Sequence, residues 1–167
     1  MTDLNDAGRP AATVVIIRDR PDEAAELLMV ERASTMAFAA GALVFPGGAV
    51  DPADLTLAAR HGGDLALDEA AARIAAIRET IEEAGIAIGL AGPIDAAAVL
   101  RLRDGLHDGD ILGDLLDRHG LTLALEFLTE FNGVIGEFAR LAVFEERHFR
   151  LVADHRRGAV DAQDQTV

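Results

Sequence analysis

The run Arg78-Glu79-Thr80-Ile81-Glu82-Glu83-Ala84-Gly85-Ile86 concentrates more potential chemistry than any other stretch of this chain. Glu79, Glu82 and Glu83 stand at i, i+3 and i+4, so on a helix they share one face. Ile74, Ile77, Ile81 and Ala84 recur at helical spacing and fall on the opposite face, which suits burial. Three neighbouring carboxylates repel one another, and a divalent cation removes that repulsion. Hard oxygen ligands of this kind suit Mg²⁺ or Mn²⁺. A cation held between carboxylates and substrate phosphates recurs in phosphate-transferring sites. The plainer reading is that a Glu-rich face is only the solvated side of an exposed helix. Arg78 lies four residues before Glu82, within ion-pair reach. Upstream, Gly47 offers backbone that can approach an ion closely, because it has no side chain.

The pattern Arg-Glu-x-x-Glu-Glu-x-Gly at 78–85, ended by the apolar Ile86, closely resembles the core of the Nudix box, the signature of the Nudix hydrolase superfamily. Phe45-Pro46-Gly47-Gly48 resembles the strand-to-loop element that precedes this box. The resemblance implies an α+β fold with a Nudix-type mixed β-sheet sandwiched between helices. It also implies cleavage by water of a diphosphate X-O-P-O-P-Y, with Mg²⁺ or Mn²⁺. Carried over by position, Glu82 and Glu83 match the adjacent metal-ligand pair of the family. Glu79 matches a further ligand or the general base, and Arg78 matches the Arg that orients the Glu cluster. Gly47 matches a residue whose carbonyl contacts the metal. The implied catalytic residues are thus Glu79 and Arg78, and the implied metal set is Glu79, Glu82, Glu83 and Gly47. Each carboxylate role needs an ionised group beside a cation, which keeps its pKa low. Gly48 reads as a turn residue and Gly85 as structural. Arg32 is a candidate for a substrate phosphate, since a guanidinium suits bidentate oxyanion contacts. Its plainer reading is a strand-end surface residue. Phe45 is a second candidate substrate contact.

The chain departs from the family pattern G-x5-E-x7-R-E-U-x-E-E-x-G-U, in which U is bulky and apolar. Counting back from Arg78, the Glu is due at Ala70 and the Gly at Asp64, and Thr80 occupies a U position. The box therefore reads as split by an insertion over about 49–68. Peroxisomal-type coenzyme A diphosphatases carry such an insertion and a Thr at that position. The segments 27–33 and 41–48 loosely resemble their coenzyme A-associated element. Asp68, Glu69, Asp51 and Asp54 are candidates to replace the missing acid; the plainer reading makes them cap and solvated loop residues. Glu145 or Glu146 is a candidate to complete the metal site. The implied partner is a small nucleoside diphosphate derivative, coenzyme A or an acyl derivative among them. The competing reading is a catalytically weak Nudix-fold nucleotide-binding or sensor module. Ala70 and the displaced Gly favour it; the intact acidic core disfavours it.

Composition narrows the classes. A formal net charge of −14 argues against a nucleic-acid polymer as partner. The absence of Cys removes disulfides, thiolate zinc sites and cysteine nucleophiles. All fifteen basic residues are Arg, so neither a Walker-type lysine nor a Schiff base is available. With no Trp or Tyr, base stacking falls to Phe or Arg. The start, Met1-Thr2-Asp3-Leu4-Asn5-Asp6, is polar and unlike a secretory signal. The apolar stretch at 36–45 is about half a membrane span, so the expectation is a soluble cytoplasmic protein without a membrane partner. The five His show no ligand-like spacing.

These residues need a scaffold. Residues 1–10 read as a polar lead, 11–153 as the domain and 154–167 as a polar, flexible tail. The β-branched run Ala12–Arg18 predicts a strand, with 26–31 as its hairpin partner and 42–45 as another strand. Pro52-Ala53-Asp54 predicts the start of a short helix inside the insertion. Asp68–Ala84 predicts the central helix, capped by Asp68 and stopped by Gly85. A buried strand is expected at 86–90, helices at 95–106, 110–119 and 121–131, and a strand over 141–144 extending through 149–152. The elements that close the Nudix sheet are expected to be abbreviated, which together with family analogy points to a homodimer.

Overall fold

The computed structural model describes residues 10–18, 20, 22–32, 41–131 and 139–145. The lead apart from Pro10, the tail at 154–167 and the expected strand residues 149–152 lie outside the described residues. In chain order the elements are β1 (Ala11–Arg18), β2 (Glu26–Leu27), β3 (Val30–Glu31), β4 (Leu43–Val44), β5 (Gly47–Ala49), α1 (Pro52–His61), α2 (Leu67–Ala84), β6 (Leu90–Ala91), α3 (Ala96–His107), α4 (Leu112–His119), β7 (Thr122–Leu123), a 3₁₀ turn (Leu125–Phe127), β8 (Thr129–Phe131) and β9 (Ala139–Glu145).

β1 is the axis of the sheet. Ala12, Val14 and Ile16 are buried while the residues between them are half-buried, the alternation of a strand with one face on the core. β5 and β2 run antiparallel along one edge of β1, with Ala12 opposite Gly48 and Ile17 opposite Leu27. β9 runs parallel along the other edge, from Ala11 opposite Ala139 to Ile17 opposite Glu145. β8 then pairs antiparallel with β9, giving the mixed sheet of an α+β fold. The expected hairpin at 26–31 is divided. β2 pairs with β1, whereas β3 leaves to pair with β4.

The insertion does form a helix. Pro52 fits the first position of α1, where its missing N–H costs nothing. The Asp54 carboxylate accepts the Asp51 N–H at 2.9 Å, a cap within the first turn. α2 buries Ile74, Ile77 and Ile81 completely, each contributing about 1.5–3 kcal/mol by leaving water. It packs on β1, β5 and β9, and its flanks receive α1 and α3. Its start differs from expectation: Leu67 opens the helix behind Ala66, so Asp68 sits inside the first turn rather than at the cap. An acid is favourable there as well, because the helix N-terminus carries partial positive charge. Gly85 ends α2 in the left-handed region at φ 65°, and its N–H reaches Ile81 O at 3.0 Å.

Two further expectations are corrected. The segment 121–131 is not a helix but β7, a 3₁₀ turn and β8. Its buried residues Leu121, Ala124, Leu125 and Leu128 do recur at helical spacing. Pairing decides otherwise: Leu123 lies opposite Leu90, the Ala124 N–H bonds Gly89 O, and β8 joins β9. The strand expected at 86–90 shortens to Leu90–Ala91, because Gly89 turns the chain at φ 58°. The helix α3 is capped by Asp95, which accepts the Ala98 N–H at 2.6 Å. Asp110 does not cap α4; Ile111 holds that position, and Asp110 pairs with Arg118 at 2.8 Å. No helix among the described residues is long and apolar enough to cross a membrane.

Candidate active site

Arg78 is the centre of the acidic cluster, with only 11% of its side chain exposed. Its Nε donates to Asp54 Oδ1 at 3.2 Å and its Nη2 to Asp54 Oδ2 at 3.0 Å. Nη2 also donates to Ala49 O at 2.9 Å, and Nη1 to Glu79 at 2.8 Å and Glu82 at 3.2 Å. These bonds use all five N–H groups of a guanidinium. Arg78 therefore has no donor left for a substrate, and its geometry is that of a group that orients the acids. Burial alone would lower its pKa. The hydrogen bonds and charge of Asp54, then of Glu79, raise it above its ordinary value and keep it charged.

Asp54 is the acid whose place in the site differs most from expectation. It is 2% exposed and forks onto Arg78, so it is neither a solvated loop acid nor a free ligand. A signal for it existed. Counted forward from Gly48 instead of back from Arg78, the chain reads Gly48-x5-Asp54, with the extra residues falling after the acid. Asp51 joins the same cluster, 3.6 Å from Arg78 Nη2. Asp68 and Glu69 do not. Glu69 pairs with Arg73 at 2.6 Å, and ten residues of helix place it about 15 Å along the axis from Glu79. Ala70, where the pattern wants Glu, is completely buried and lies against the C-terminal end of α1 at Gly62. Helix packing has taken that position.

Two glycines shape the floor. A Cβ on Gly47 would collide with Ala12 O in β1, and its φ of 156° favours glycine. Its N–H donates to Glu83 Oε2 at 3.1 Å. Gly48 is not a turn residue: it lies in β5, and a Cβ there would strike the Glu79 carboxylate. Glu79 thus occupies the space that a side chain at 48 would fill. Thr80, at an apolar position, is buried and satisfies its hydroxyl on Ala76 O at 2.7 Å. Across the helix end, Arg103 Nε donates to Glu82 O at 3.0 Å and His107 Nε2 lies 3.2 Å from the same oxygen. The last turn of α2 has no basic residue of its own, so α3 supplies the positive charge that its C-terminus favours. Neither residue carries a motif signal in the sequence.

The remaining candidates sit around this core. Arg32 is half-buried; its charge lowers the Glu83 pKa, and its Nε is buried with no hydrogen-bond partner among the described residues. Phe45 is half-buried between β4 and β5. Glu145 is the last residue of β9, across from Ile17, and Glu146 lies outside the described residues.

Electrostatically the chain alone leaves the site short of positive charge. Burial pushes the Glu79 carboxyl above its usual range; Arg78 opposes this, and the charges of Glu82 and Asp51 add to it. Burial raises Glu83 too, against the Gly47 hydrogen bond and the charge of Arg32. These directions are opposite to the low pKa expected, because that expectation presupposed a cation beside each acid. As they stand, no three acidic or His side chains among the described residues converge to hold a metal ion. Glu79 and Glu82 are turned onto Arg78, and Glu83 onto Gly47. The donor set still fits a hard divalent cation. Its oxygens are all carboxylate, two of them are burdened by burial, and they adjoin backbone stripped of side chains.

The family model of the NUDIX domain matches residues 8–108. An uncharacterized Nudix hydrolase of Klebsiella aerogenes, NudL, is 40% identical over 88 residues, covering 53% of this chain and 64% of that protein. The match thus spans less than two thirds of that relative's length. The crystal structure of a NUDIX hydrolase from Alicyclobacillus acidocaldarius is similar at a TM-score of 0.59 and 32% identity, covering 82% of this chain and 67% of that one.

Proposed function

Because the chain belongs to the Nudix family, we propose that it hydrolyses the diphosphate linkage of a nucleoside diphosphate derivative, with Mg²⁺ or Mn²⁺. The observation that carries this reading is the arrangement of Glu79 and Glu82 around a buried, saturated Arg78, with Glu83 beside them on the Gly47 N–H. Glu79, Glu82, Glu83 and the Gly47 carbonyl would hold the metal, which supplies Lewis-acid stabilisation of the phosphate oxygens when bound. Glu79 is the proposed base. It takes a proton from the attacking water as the new P–O bond forms, and the bond from that phosphorus to the bridging oxygen breaks. Arg78 holds Glu79 and Glu82 in place, while Arg32, whose Nε has no hydrogen-bond partner among the described residues, meets a substrate phosphate and Phe45 packs on the substrate.

The finer reading, coenzyme A or an acyl-coenzyme A as substrate, rests on the likeness of segments 27–33 and 41–48 to the coenzyme A-associated element. A panel of coenzyme A, acetyl-coenzyme A, ADP-ribose, NADH and a nucleoside triphosphate, read by phosphate release with an auxiliary phosphatase, tests it. Turnover abolished by EDTA and by Glu82→Gln is the expected result. The second reading, a nucleotide-binding module of low activity, draws on Ala70 and the displaced Gly, and on the lack of a ready-made metal set among the described residues. Folded protein that binds nucleotide but turns over none of the panel would favour it. A cytoplasmic homodimer remains part of the proposal, and light scattering that gave 17.6 kDa in solution would defeat the dimer.

A further inference from the structure

A cavity of about 280 Å³ opens beside the acidic cluster, between α1, the end of α2 and the α3–α4 hairpin. Leu57, Leu106 and Ile111 give it an aliphatic wall, and Asp51, Glu82 and Asp110 give it an acidic rim. Among the described residues its single lining cation is Arg78, whose five N–H groups are already committed inside the protein. A phosphate entering here would meet four carboxylates, Asp54 included, and no free donor from that Arg, so the side-chain charge of the cavity disfavours anions. The acidic side chains on its rim are hydrogen-bond acceptors, and its volume is just below the usual range for ligand pockets, enough for one ring or one short chain.

From this we infer that the cavity is the specificity pocket for one end of the substrate: an uncharged organic moiety that carries N–H or O–H donors and an aliphatic or aromatic face. The inference rests on the hydrolase reading for the word substrate. It adds an orientation, in which the diphosphate lies over Glu79 and Glu83 on the Gly47 side and the uncharged end passes Glu82 into the cavity. A substrate that bears a phosphate on the moiety entering the pocket is rejected by the same acids. Both walls come from parts outside the acidic core: α1 is the insertion, and α3–α4 is the hairpin after it.

The chain has no Trp or Tyr, so a single Trp on a wall is a clean fluorescent reporter. Ile111 is 50% exposed at the head of α4 and tolerates Ile111→Trp; Ala53→Trp places a second reporter on the α1 wall. Each variant, checked for cooperative melting, is titrated in EDTA with adenosine, pantetheine and inorganic pyrophosphate. The expected result is a saturable change with adenosine or pantetheine in both reporters, at a concentration at least about tenfold below any effect of pyrophosphate. Which of the two responds tells a ring from an amide chain. No saturable response to either uncharged probe overturns the proposal, as does a response to pyrophosphate alone. Because EDTA removes turnover from this experiment, the outcomes separate. Binding without hydrolysis elsewhere defeats the enzyme reading and keeps the pocket; hydrolysis without binding here defeats only the pocket.

Discussion

Arg78 and Asp54 form the most deeply buried ion pair of the acidic cluster. Asp54 is 2% exposed, and each of its carboxylate oxygens takes a guanidinium N–H. Asp54→Ala leaves two of the five guanidinium N–H groups buried without an acceptor, so it should destabilise the protein by about 2–6 kcal/mol in urea unfolding, at about 1–3 kcal/mol for each. A loss below about 1 kcal/mol, the scale of a surface pair, would mean that the pair is solvated in solution. Arg78→Lys should not rescue function, because three donors on a point charge cannot serve five acceptors. Glu83 gives the opposite sign. Burial raises its folded pKa above the unfolded value, so its contribution to stability is fully present below the unfolded pKa and is lost as pH rises through the folded one. In metal-free protein, Glu83→Gln should therefore melt higher than wild type at neutral pH, with the difference vanishing near pH 4. Equal melting temperatures at neutral pH would remove the charge burden assigned to Glu83. At this scale the sequence was informative about Glu79, Glu82, Glu83 and Arg78, whose spacing on one helix is local information. It was poor for Asp54, whose partner lies 24 residues away, and silent on Arg103 and His107, which reach Glu82 O from another helix.

At the scale of elements, the C-terminal half of α2 is held by neighbours as well as by its own sequence. Gly48 in β5 gives the Glu79 carboxylate room, the Gly47 N–H holds Glu83, and Arg103 from α3 holds the last turn. Gly48→Ala should leave a folded protein that binds Mn²⁺ at least about tenfold more weakly by titration calorimetry, a change of about 1.4 kcal/mol, since the new methyl displaces Glu79. Unchanged affinity would show that the carboxylate can move aside at no cost. Arg103→Ala should lower stability by about 0.5–2 kcal/mol, through the helix end and the carbonyl it leaves behind. The elements themselves were legible where one force dominated. β1 follows from its β-branched alternation, α3 from its Asp cap, and the end of α2 from Gly85. The segment 121–131 was not, because buried Leu and Ala at helical spacing also fit a chain that turns between two strand pairings. Only contacts with residues far along the chain separate those outcomes.

At the scale of the molecule, a formal charge of −14 means that folding works against self-repulsion throughout. The melting temperature should rise as NaCl is added from low to moderate concentration, since screening at about 0.1 M reaches beyond roughly 10 Å. A specific site adds a steeper effect. Mg²⁺ or Mn²⁺ at about a hundred times its Kd should stabilise by about 2.7 kcal/mol beyond matched ionic strength. A divalent effect no larger than that of NaCl would argue that the acids bind no particular cation. The dependence of the cluster on distant partners has a further consequence, for the order in which the structure fails. Arg78 ties α2 to Ala49 in β5 and to Asp54 in α1, across 29 and 24 residues. Its grip on Glu79 and Glu82 therefore depends on α1 staying docked, whereas the buried Ile74, Ile77 and Ile81 of α2 do not rely on those bonds. Under mild heating the acids should lose their alignment while the helix that bears them is still intact, so activity would report the seating of a ten-residue clasp rather than the integrity of the core.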